Sequence, residues 1–299
     1  MELLIMPVDT DLFTVVARTE DKLGEIPLWD TRTQSLVWVD LLKPRLNRWD
    51  HRSGASTSTV IKEKIGSFCL AEDDSVVITG RSGVSRWWPA LDRYEHIACP
   101  EADRPANIMN DGRVDGRGRF LFGSMDRMNG GDSGRLWSLT QGEPPRLLID
   151  TGVFVPNGLC WSPCGRVLYF GDSHLDCLFA FDYDLATGAV TNRRVFADTR
   201  GIGGTLDGCS VDVDGFVWHA RFGAGKLVRF DPKGRIDQSW TMPTRQPTHL
   251  TFGGPELRTL YITSARFRMP ERELLADPDA GALFAMEVAV KGLPEGRFA

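Results

Sequence analysis

The chain has 299 residues, a hydrophobic fraction of 42% and a formal net charge of −5. A net negative chain without a basic stripe cannot neutralise phosphates, which argues against a nucleic-acid partner. Apolar runs such as 76–78 and 147–149 are far too short to cross a bilayer, so no membrane partner is expected either.

The acidic start has no basic segment before an apolar run, which predicts no secretory signal and a cytoplasmic protein. Because all-β folds of this length commonly form one unit, we expect a single domain over residues 1–299. The six cysteines match no disulfide or zinc pattern, and Cys160 and Cys164 are four residues apart with a proline between them. Reduced, mostly buried thiols are therefore expected.

A short strand is predicted at 12–18, and six similar units follow it at a spacing of about 40 to 50 residues. Each unit has three short β-branched and aromatic runs separated by Asp, Gly and Pro turns. The first runs are 26–30, 67–71, 112–115, 159–162, 209–212 and 249–252. The second runs are 35–40, 75–79, 119–123, 166–170, 216–220 and 259–263. The third runs are 45–50, 83–87, 134–139, 177–182, 226–231 and 281–286.

One helical turn is predicted at 271–276, after Pro270. Repeated strands that cannot bury their own faces, at this period, predict an all-β, six-bladed β-propeller. We expect strand 12–18 to pair with the sixth unit, because this closes the ring and leaves no bare edge.

A polar residue stands directly before the first run in four units: Glu25, Asn110, Asn157 and Asp207. Innermost propeller strands line the central channel, so these four side chains are expected to meet at one mouth of it. Their oxygens suit Ca²⁺, Mg²⁺ or Mn²⁺, while Zn²⁺ and Fe²⁺ stay open by ligand type. Glu25 and Asp207 would repel each other without a cation between them, which favours a metal site over a set of turn residues and water.

Ser67 and His249 occupy related positions in the second and sixth units. A single histidine beside an apolar run is more often a hydrogen-bonded core residue than a ligand. Whether His249 contributes to the site is open at this point.

The chain also resembles the SMP-30/gluconolactonase/regucalcin family over nearly its whole length. The motifs that carry the resemblance lie at 24–29, 110–115, 156–163, 207–208 and 252–265. It implies a six-bladed propeller that hydrolyses a sugar (aldono-) lactone to the open-chain acid. It also implies one divalent cation, which we expect to be calcium, bound by Glu25, Asn157 and Asp207. In the same family Asn110 would contact the substrate, and Asp207 would also act as the acid and base.

In that reading the cation polarises the lactone carbonyl and activates a water molecule, and Asp207 removes a proton and returns one to the ring oxygen. No Gly-x-Ser-x-Gly motif is present, which argues against a serine nucleophile. Two alternatives are kept: phosphotriester hydrolysis on the same metal propeller, and a non-catalytic calcium-binding or interaction propeller.

Two positions depart from the family's animal members. Ile108 replaces their arginine two residues before Asn110, and Met128 stands where they carry a glutamate in a lid. We expect both residues to line the substrate pocket and make one wall less polar. Gluconolactone itself is then not expected to be the best substrate.

Overall fold

The computed structural model describes residues 10–127 and 130–299. Its strands form six four-stranded antiparallel sheets. The innermost strand of each sheet contacts the innermost strands of both neighbouring sheets, so the ring is closed. This confirms the predicted six-bladed β-propeller, and each sheet is one blade.

The strands fall into four concentric sets, named here from the axis outward. The inner strands are β2 (Gly24–Asp30), β6 (Ile65–Leu70), β10 (Asn107–Val114), β14 (Pro156–Trp161), β18 (Thr205–Val211) and β22 (Pro247–Gly253). The second strands are β3 (Ser35–Asp40), β7 (Val76–Gly80), β11 (Phe120–Asp126), β15 (Val167–Asp172), β19 (Val217–Phe222) and β23 (Thr259–Ser264). The third strands are β4 (Arg45–Asp50), β8 (Gly83–Trp88), β12 (Gly134–Leu139), β16 (Cys177–Asp184), β20 (Lys226–Phe230) and β24 (Leu283–Glu287). The outer strands are β5 (Ser56–Val60), β9 (Arg93–Ala98), β13 (Arg146–Val153), β17 (Ala189–Asp198), β21 (Ile236–Thr241) and β1 (Thr14–Ala17).

The sequence predicts three strands in each unit, and the structure has a fourth, outer strand that was missed in the first five. These outer strands face solvent on much of their surface, and all five residues of β5 are exposed. They therefore lack the alternating or continuous apolar pattern that identifies a strand in sequence. The outer position of the sixth blade belongs to β1.

Strand β1 pairs antiparallel with β24, so the N-terminal segment and the C-terminal part of the chain share one blade. Phe13 and Ala17 at its two ends are buried. Phe13 packs in the cluster that contains Leu250 and Phe284 of the same blade. The first and last parts of the ring are thus held together by backbone hydrogen bonds and apolar packing.

Large aromatic side chains fill the space between neighbouring blades. Trp29 of the first blade stacks on Tyr261 of the sixth, with ring centroids 5.5 Å apart and an interplanar angle of 11°. Trp218 of the fifth blade meets Phe252 of the sixth edge to face, with centroids 5.8 Å apart. Replacing a buried aromatic residue of this kind by alanine costs about 3–5 kcal/mol, so these contacts make the ring rigid.

The segment after β24 crosses the propeller on the face opposite the start of the inner strands. Val213 donates its N–H to the carbonyl of Lys291 at one side, and Ala299 donates to Gly118 at the other. Between them, Glu295 forms a buried ion pair with Arg113 inside the channel. The last residues of the chain therefore connect the fifth blade to the third on this face.

The predicted helical turn is confirmed as α1 (Glu271–Ala276), and 3₁₀ turns span Thr10–Leu12 and Pro89–Leu91. All six cysteines are free; Cys99 and Cys164 are exposed and the other four are buried. Within the described ranges, no helix has the length and apolarity needed to span a bilayer.

Candidate functional site

The inner strands share one irregularity near the face of the propeller at which they begin, called here the site face. In each of the six strands the pairing register shifts within the first six residues, as at a β-bulge. The expected residues Glu25, Asn110, Asn157 and Asp207 lie within the first four residues of their strands, at or next to this shift. Our expectation that they precede the strands is wrong, because the bulge interrupts the strand pattern before the apolar run begins.

The bulge changes the direction in which side chains of the inner strands point. An extra residue in one strand re-aims the side chains around it, so a polar group can point along the axis while its neighbours stay in the blade. Glu25, Asn157 and Asp207 are each 8% exposed. Asn110 contacts Asn157, and Asp207 lies near enough to Glu25 for its charge to raise the pKa of that carboxyl group. These four side chains thus form two neighbouring pairs near the site face.

Aspartates at the ends of second strands hold the loops that lead into two of the bulges. Asp172 accepts hydrogen bonds from four backbone N–H groups: those of Phe154, Val155, His174 and Leu175. Asp40 does the same in the first blade for the N–H groups of Lys22, Leu23, Leu42 and Lys43. The approaches to Asn157 and Glu25 are fixed in this way.

In the fifth blade an arginine, instead of an aspartate, holds the loop that leads into the bulge. Arg221 is fully buried and donates two hydrogen bonds to Asp176, at 2.7 and 3.0 Å, and two more to the carbonyls of Gly203 and Gly204. Asp176 also accepts the N–H of Leu206 at 3.0 Å. The glycine-rich loop and the start of β18 are therefore clamped directly before Asp207.

A chain of hydrogen bonds orients the two asparagines. Asn110 donates from Nδ2 to the carbonyl of Pro156 at 2.8 Å and to Oδ1 of Asn157 at 3.1 Å. Asn157 donates from Nδ2 to Ser173 Oγ at 2.7 Å, and that hydroxyl donates in turn to the carbonyl of Leu206. Because Ser173 has given its proton to Leu206, it can only accept from Asn157, which leaves the Asn157 amide oxygen on the channel side.

The two buried carboxyl groups of the site influence each other. Burial, with the negative charges of Asp207 and Asp111, raises the pKa of Glu25 well above its usual range. Burial, with the charge of Asp111, likewise raises the pKa of Asp207 well above its usual range. Such carboxyl groups favour either bound protons or a bound cation.

Asp111, the neighbour of Asn110, was not among the residues expected at the site. It is 3% exposed and adopts a positive φ of 33°. Burial acts to raise the pKa of Asp111, but the contact with His249 and the N–H groups of Leu159 and Gly112 outweigh it and lower that pKa. Its position beside Asn110 in the Asn-Asp-Gly motif was the available signal, because a bulge can turn two successive side chains toward one channel.

The remaining expected positions divide into four cases. Ser67 is fully buried and its hydroxyl lies 2.8 Å from that of Thr79, so it is satisfied within its own blade. In β22 the register shift lies between Pro247 and Leu250, and in β18 it lies between Leu206 and Cys209. Counted from the start of the shift, Thr248 and not His249 matches the position of Asp207. Ile108 is half-buried, pairs with Met125 and is on the strand face of Asn110. Met128 lies outside the described residues.

The donor set fits a hard divalent cation. Two carboxylates and one amide oxygen are the ligand types that Ca²⁺, Mg²⁺ and Mn²⁺ take. Among residues 10–127 and 130–299, no basic group offsets the charge of the two buried carboxyl groups. In the described part of the chain no group of three or more His, Cys, Asp or Glu side chains is arranged as a metal cluster. The expected set contains an asparagine and only two such residues, so it would not form a group of that kind.

The chain matches the family model described as "SMP-30/Gluconolactonase/LRE-like region" over residues 23–266. It is 36% identical over 290 residues to the 6-deoxy-6-sulfogluconolactonase of Pseudomonas putida, covering 95% of this chain and 97% of that protein. It is 33% identical over 290 residues to a pentonolactonase of Haloferax volcanii, with the same coverage of both chains. The crystal structure of a calcium-binding protein, regucalcin, from Agrobacterium tumefaciens superimposes with a TM-score of 0.90 at 29% identity, covering 95% of this chain and 96% of the other.

Proposed function

The chain belongs to the SMP-30/gluconolactonase/LRE-like family, and we propose that it hydrolyses a sugar lactone to the open-chain acid with the help of one divalent cation. Lactonases of sugar acids are among its relatives over nearly their whole length, which supports lactone hydrolysis as the reaction class. The observation that supports the proposal for this chain is that Glu25 and Asp207 bury their carboxyl groups close enough for the charge of Asp207 to raise the pKa of Glu25. Asn157 is linked through Ser173 to Leu206, the residue before Asp207.

Glu25, Asn157 and Asp207 would hold the cation, for which calcium is our first choice because regucalcin relatives and a calcium-binding structural neighbour share the fold. When bound at such a site, a divalent cation polarises a carbonyl oxygen and lowers the pKa of a water ligand. The chain's own contribution is to place the groups that move protons and orient the ring.

Asp207 is our candidate for the proton-transfer residue. Its carboxyl group is buried and its pKa is raised, so it can take a proton from water and return it to the departing ring oxygen. Asn110 is our candidate for the substrate contact. Both of its N–H donors are used by Pro156 and Asn157, so the group it offers a substrate is its carbonyl oxygen, an acceptor for a sugar hydroxyl.

Ile108 and Met128 are proposed to set the polarity of one pocket wall. Because an isoleucine cannot hydrogen-bond a hydroxyl, the wild-type protein should favour a lactone with a less polar substituent on that side. Ile108→Arg should shift kcat/KM toward the more hydroxylated of two matched lactones by about tenfold or more, the effect of one buried hydrogen bond. The measurement is kcat/KM for a deoxy and a hydroxylated lactone in both proteins.

A matched control for that substitution is Val195→Arg, which introduces the same side chain at a residue that is 60% exposed on the outer strand β17. Its preference between the two lactones should equal that of wild type. An unchanged preference in Ile108→Arg as well would mean that Ile108 does not face the substrate.

A panel of lactones tested beside a panel of phosphotriesters decides between the proposed reaction and the alternatives. Turnover of lactones with little turnover of phosphotriesters is the expected result. Preferential turnover of phosphotriesters would assign the same site to the other hydrolytic reaction. Tight calcium binding without turnover of either panel would instead favour a binding protein.

The raised carboxyl pKa values predict how cation binding depends on pH. The ordinary values are 4.5 for Glu25 and 3.8 for Asp207, and both are raised in the folded chain. In the metal-free protein the stability that these groups contribute is therefore fully present below about pH 4 and is lost as the pH rises toward the folded values. Since a cation relieves that loss, calcium should raise the Tm more at about pH 8 than at about pH 5.5.

Calorimetric titrations in buffers of different ionisation enthalpy should also show protons released as calcium binds. Glu25→Gln should release fewer protons, because one of the two titrating ligands is gone. A calcium-induced Tm shift that is the same at both pH values would contradict the assignment of these carboxyl groups as ligands.

A further inference from the structure

His249 and Asp111 meet in the channel directly beside the proposed ligands. His249 Nε2 lies 3.5 Å from Asp111 Oδ1, and the two side chains are 2% and 3% exposed. His249 Nδ1 lies 2.8 Å from the backbone N–H of Leu250 and 3.1 Å from the Leu250 carbonyl oxygen. When Nδ1 accepts from that N–H, or when the imidazole is protonated, Nε2 carries a proton toward Asp111.

Asp111 also connects the third blade to the fourth. Its Oδ1 accepts the N–H of Gly112 at 2.7 Å, and its Oδ2 accepts the N–H of Leu159 at 3.2 Å. Leu159 is two residues beyond Asn157, inside the register shift of β14. The positive φ of Asp111 is an uncommon conformation for a residue with a side chain, and these bonds compensate for it.

His249 connects the sixth blade to the fifth through packing. A Cβ atom added to Gly208 would lie 2.0 Å from Cγ of the His249 ring, so only glycine leaves room for the imidazole there. Gly208 directly follows Asp207. The ring therefore rests on the backbone of the strand that presents the candidate proton-transfer residue.

These contacts place one imidazole and one carboxylate between the strands that carry Asn110, Asn157 and Asp207. We propose that His249 is a positioning residue, which acts through Asp111 and Gly208 to hold those three side chains at the spacing that a divalent cation and its substrate require. The proposal rests on the proposed function and names a residue beyond its ligand set. It is carried by contacts that join four different blades at one level of the channel.

The test uses two substitutions that separate the hydrogen bond from the packing. His249→Phe keeps a ring against Gly208 and removes the donor to Asp111, whereas His249→Gln keeps an N–H donor and removes the ring. The matched control is His219→Phe, since His219 is a fully buried histidine of β19 whose ring stacks on Phe230 of its own blade. For each protein, the calcium Kd, kcat, KM and metal-free Tm are measured.

His249→Phe should raise the calcium Kd and lower kcat by about 10- to 100-fold, the usual effect of losing a residue that orients metal ligands. The Gln variant should recover part of both, and His219→Phe should match wild type in Kd and kcat whatever its Tm. Wild-type Kd and kcat in His249→Phe would overturn the inference, because a loss confined to His249→Gln would assign the effect to packing alone. Equal losses in the Phe and Gln variants would also overturn it, because the N–H donor of Gln would then recover nothing. If wild-type protein binds calcium but does not hydrolyse lactones, the proposed reaction is wrong and the calcium Kd values still test the role of His249. If wild-type protein does not bind calcium, the proposed function and the role of His249 are both overturned.

Discussion

Replacing Asp207 by asparagine is expected to lower kcat for lactone hydrolysis by about 10²- to 10⁴-fold, the usual contribution of a general acid or base. Asparagine keeps the size of the side chain and one oxygen for a cation, but it cannot accept and return a proton. The carboxyl group is buried beside the channel with a raised pKa, and its N-terminal approach is clamped by Arg221 and Asp176. Folding should therefore be retained, which circular dichroism and thermal unfolding can check.

Asp212→Asn in the same strand region is the matched control. Asp212 is fully buried and accepts hydrogen bonds from Trp218 Nε1 at 2.9 Å and Arg229 at 3.0 Å, both within its own blade. Its loss should lower the free energy of unfolding and leave the kcat of the folded molecules close to wild type. An Asp207→Asn enzyme that keeps more than a tenth of the wild-type kcat would show that the proton is moved by another group.

Removing residues 1–18 is expected to lower the free energy of unfolding by several kcal/mol, enough to leave much of the protein unfolded at room temperature. The deletion takes away β1, exposes the edge of β24 and removes Phe13 and Ala17 from the packing of the sixth blade. Loss of Phe13 alone should cost about 3–5 kcal/mol. Chemical denaturation of wild type, the deletion and Phe13→Ala measures each effect.

Leu12→Ala serves as the control, because Leu12 is the neighbour of Phe13 and is 40% exposed. Its effect should stay within about 0.5 kcal/mol, as for most surface substitutions. Unchanged unfolding of the deletion would mean that the pairing of β1 with β24 contributes little to closing the ring.

The six-bladed architecture could be predicted because the chain repeats the same strand and turn pattern, and each repeat has apolar runs that need a neighbour. The outer strands could not be predicted in the same way. In β5 and β21 nearly every residue is exposed, so their strand structure depends on pairing with an already formed third strand and not on a pattern of their own. Strand β1 could be predicted more easily, because it lies between the buried residues Phe13, directly before it, and Ala17, at its end.

At the site, the repeat pattern predicted a group of polar residues near the start of the inner strands, whereas the local geometry could not be predicted. Glu25 and Asn157 share one register position, and Asp207 lies one residue further along its strand. Register shifts in the inner strands decide which residue of each blade meets the axis, and a sequence does not show where a bulge lies. This is why His249 was matched to the wrong register position.

For the same reason, the place of Asp111 in the channel could not be predicted from the sequence. Its burial and its contact with His249 come from residues 138 positions apart that meet only when the ring closes. Ser173, which orients Asn157, follows the end of β15, and only the folded blade brings it beside that residue.

The most direct measurement of the central claim is lactone turnover by protein that has been stripped of metal and then titrated with calcium. We predict that the verified metal-free protein has lost nearly all activity, that calcium restores it with one ion bound per chain, and that Asp207→Asn stays inactive after the same titration. Full lactone turnover by the metal-free protein would contradict the account, because Glu25, Asn157 and Asp207 would then have no cation to hold during the reaction.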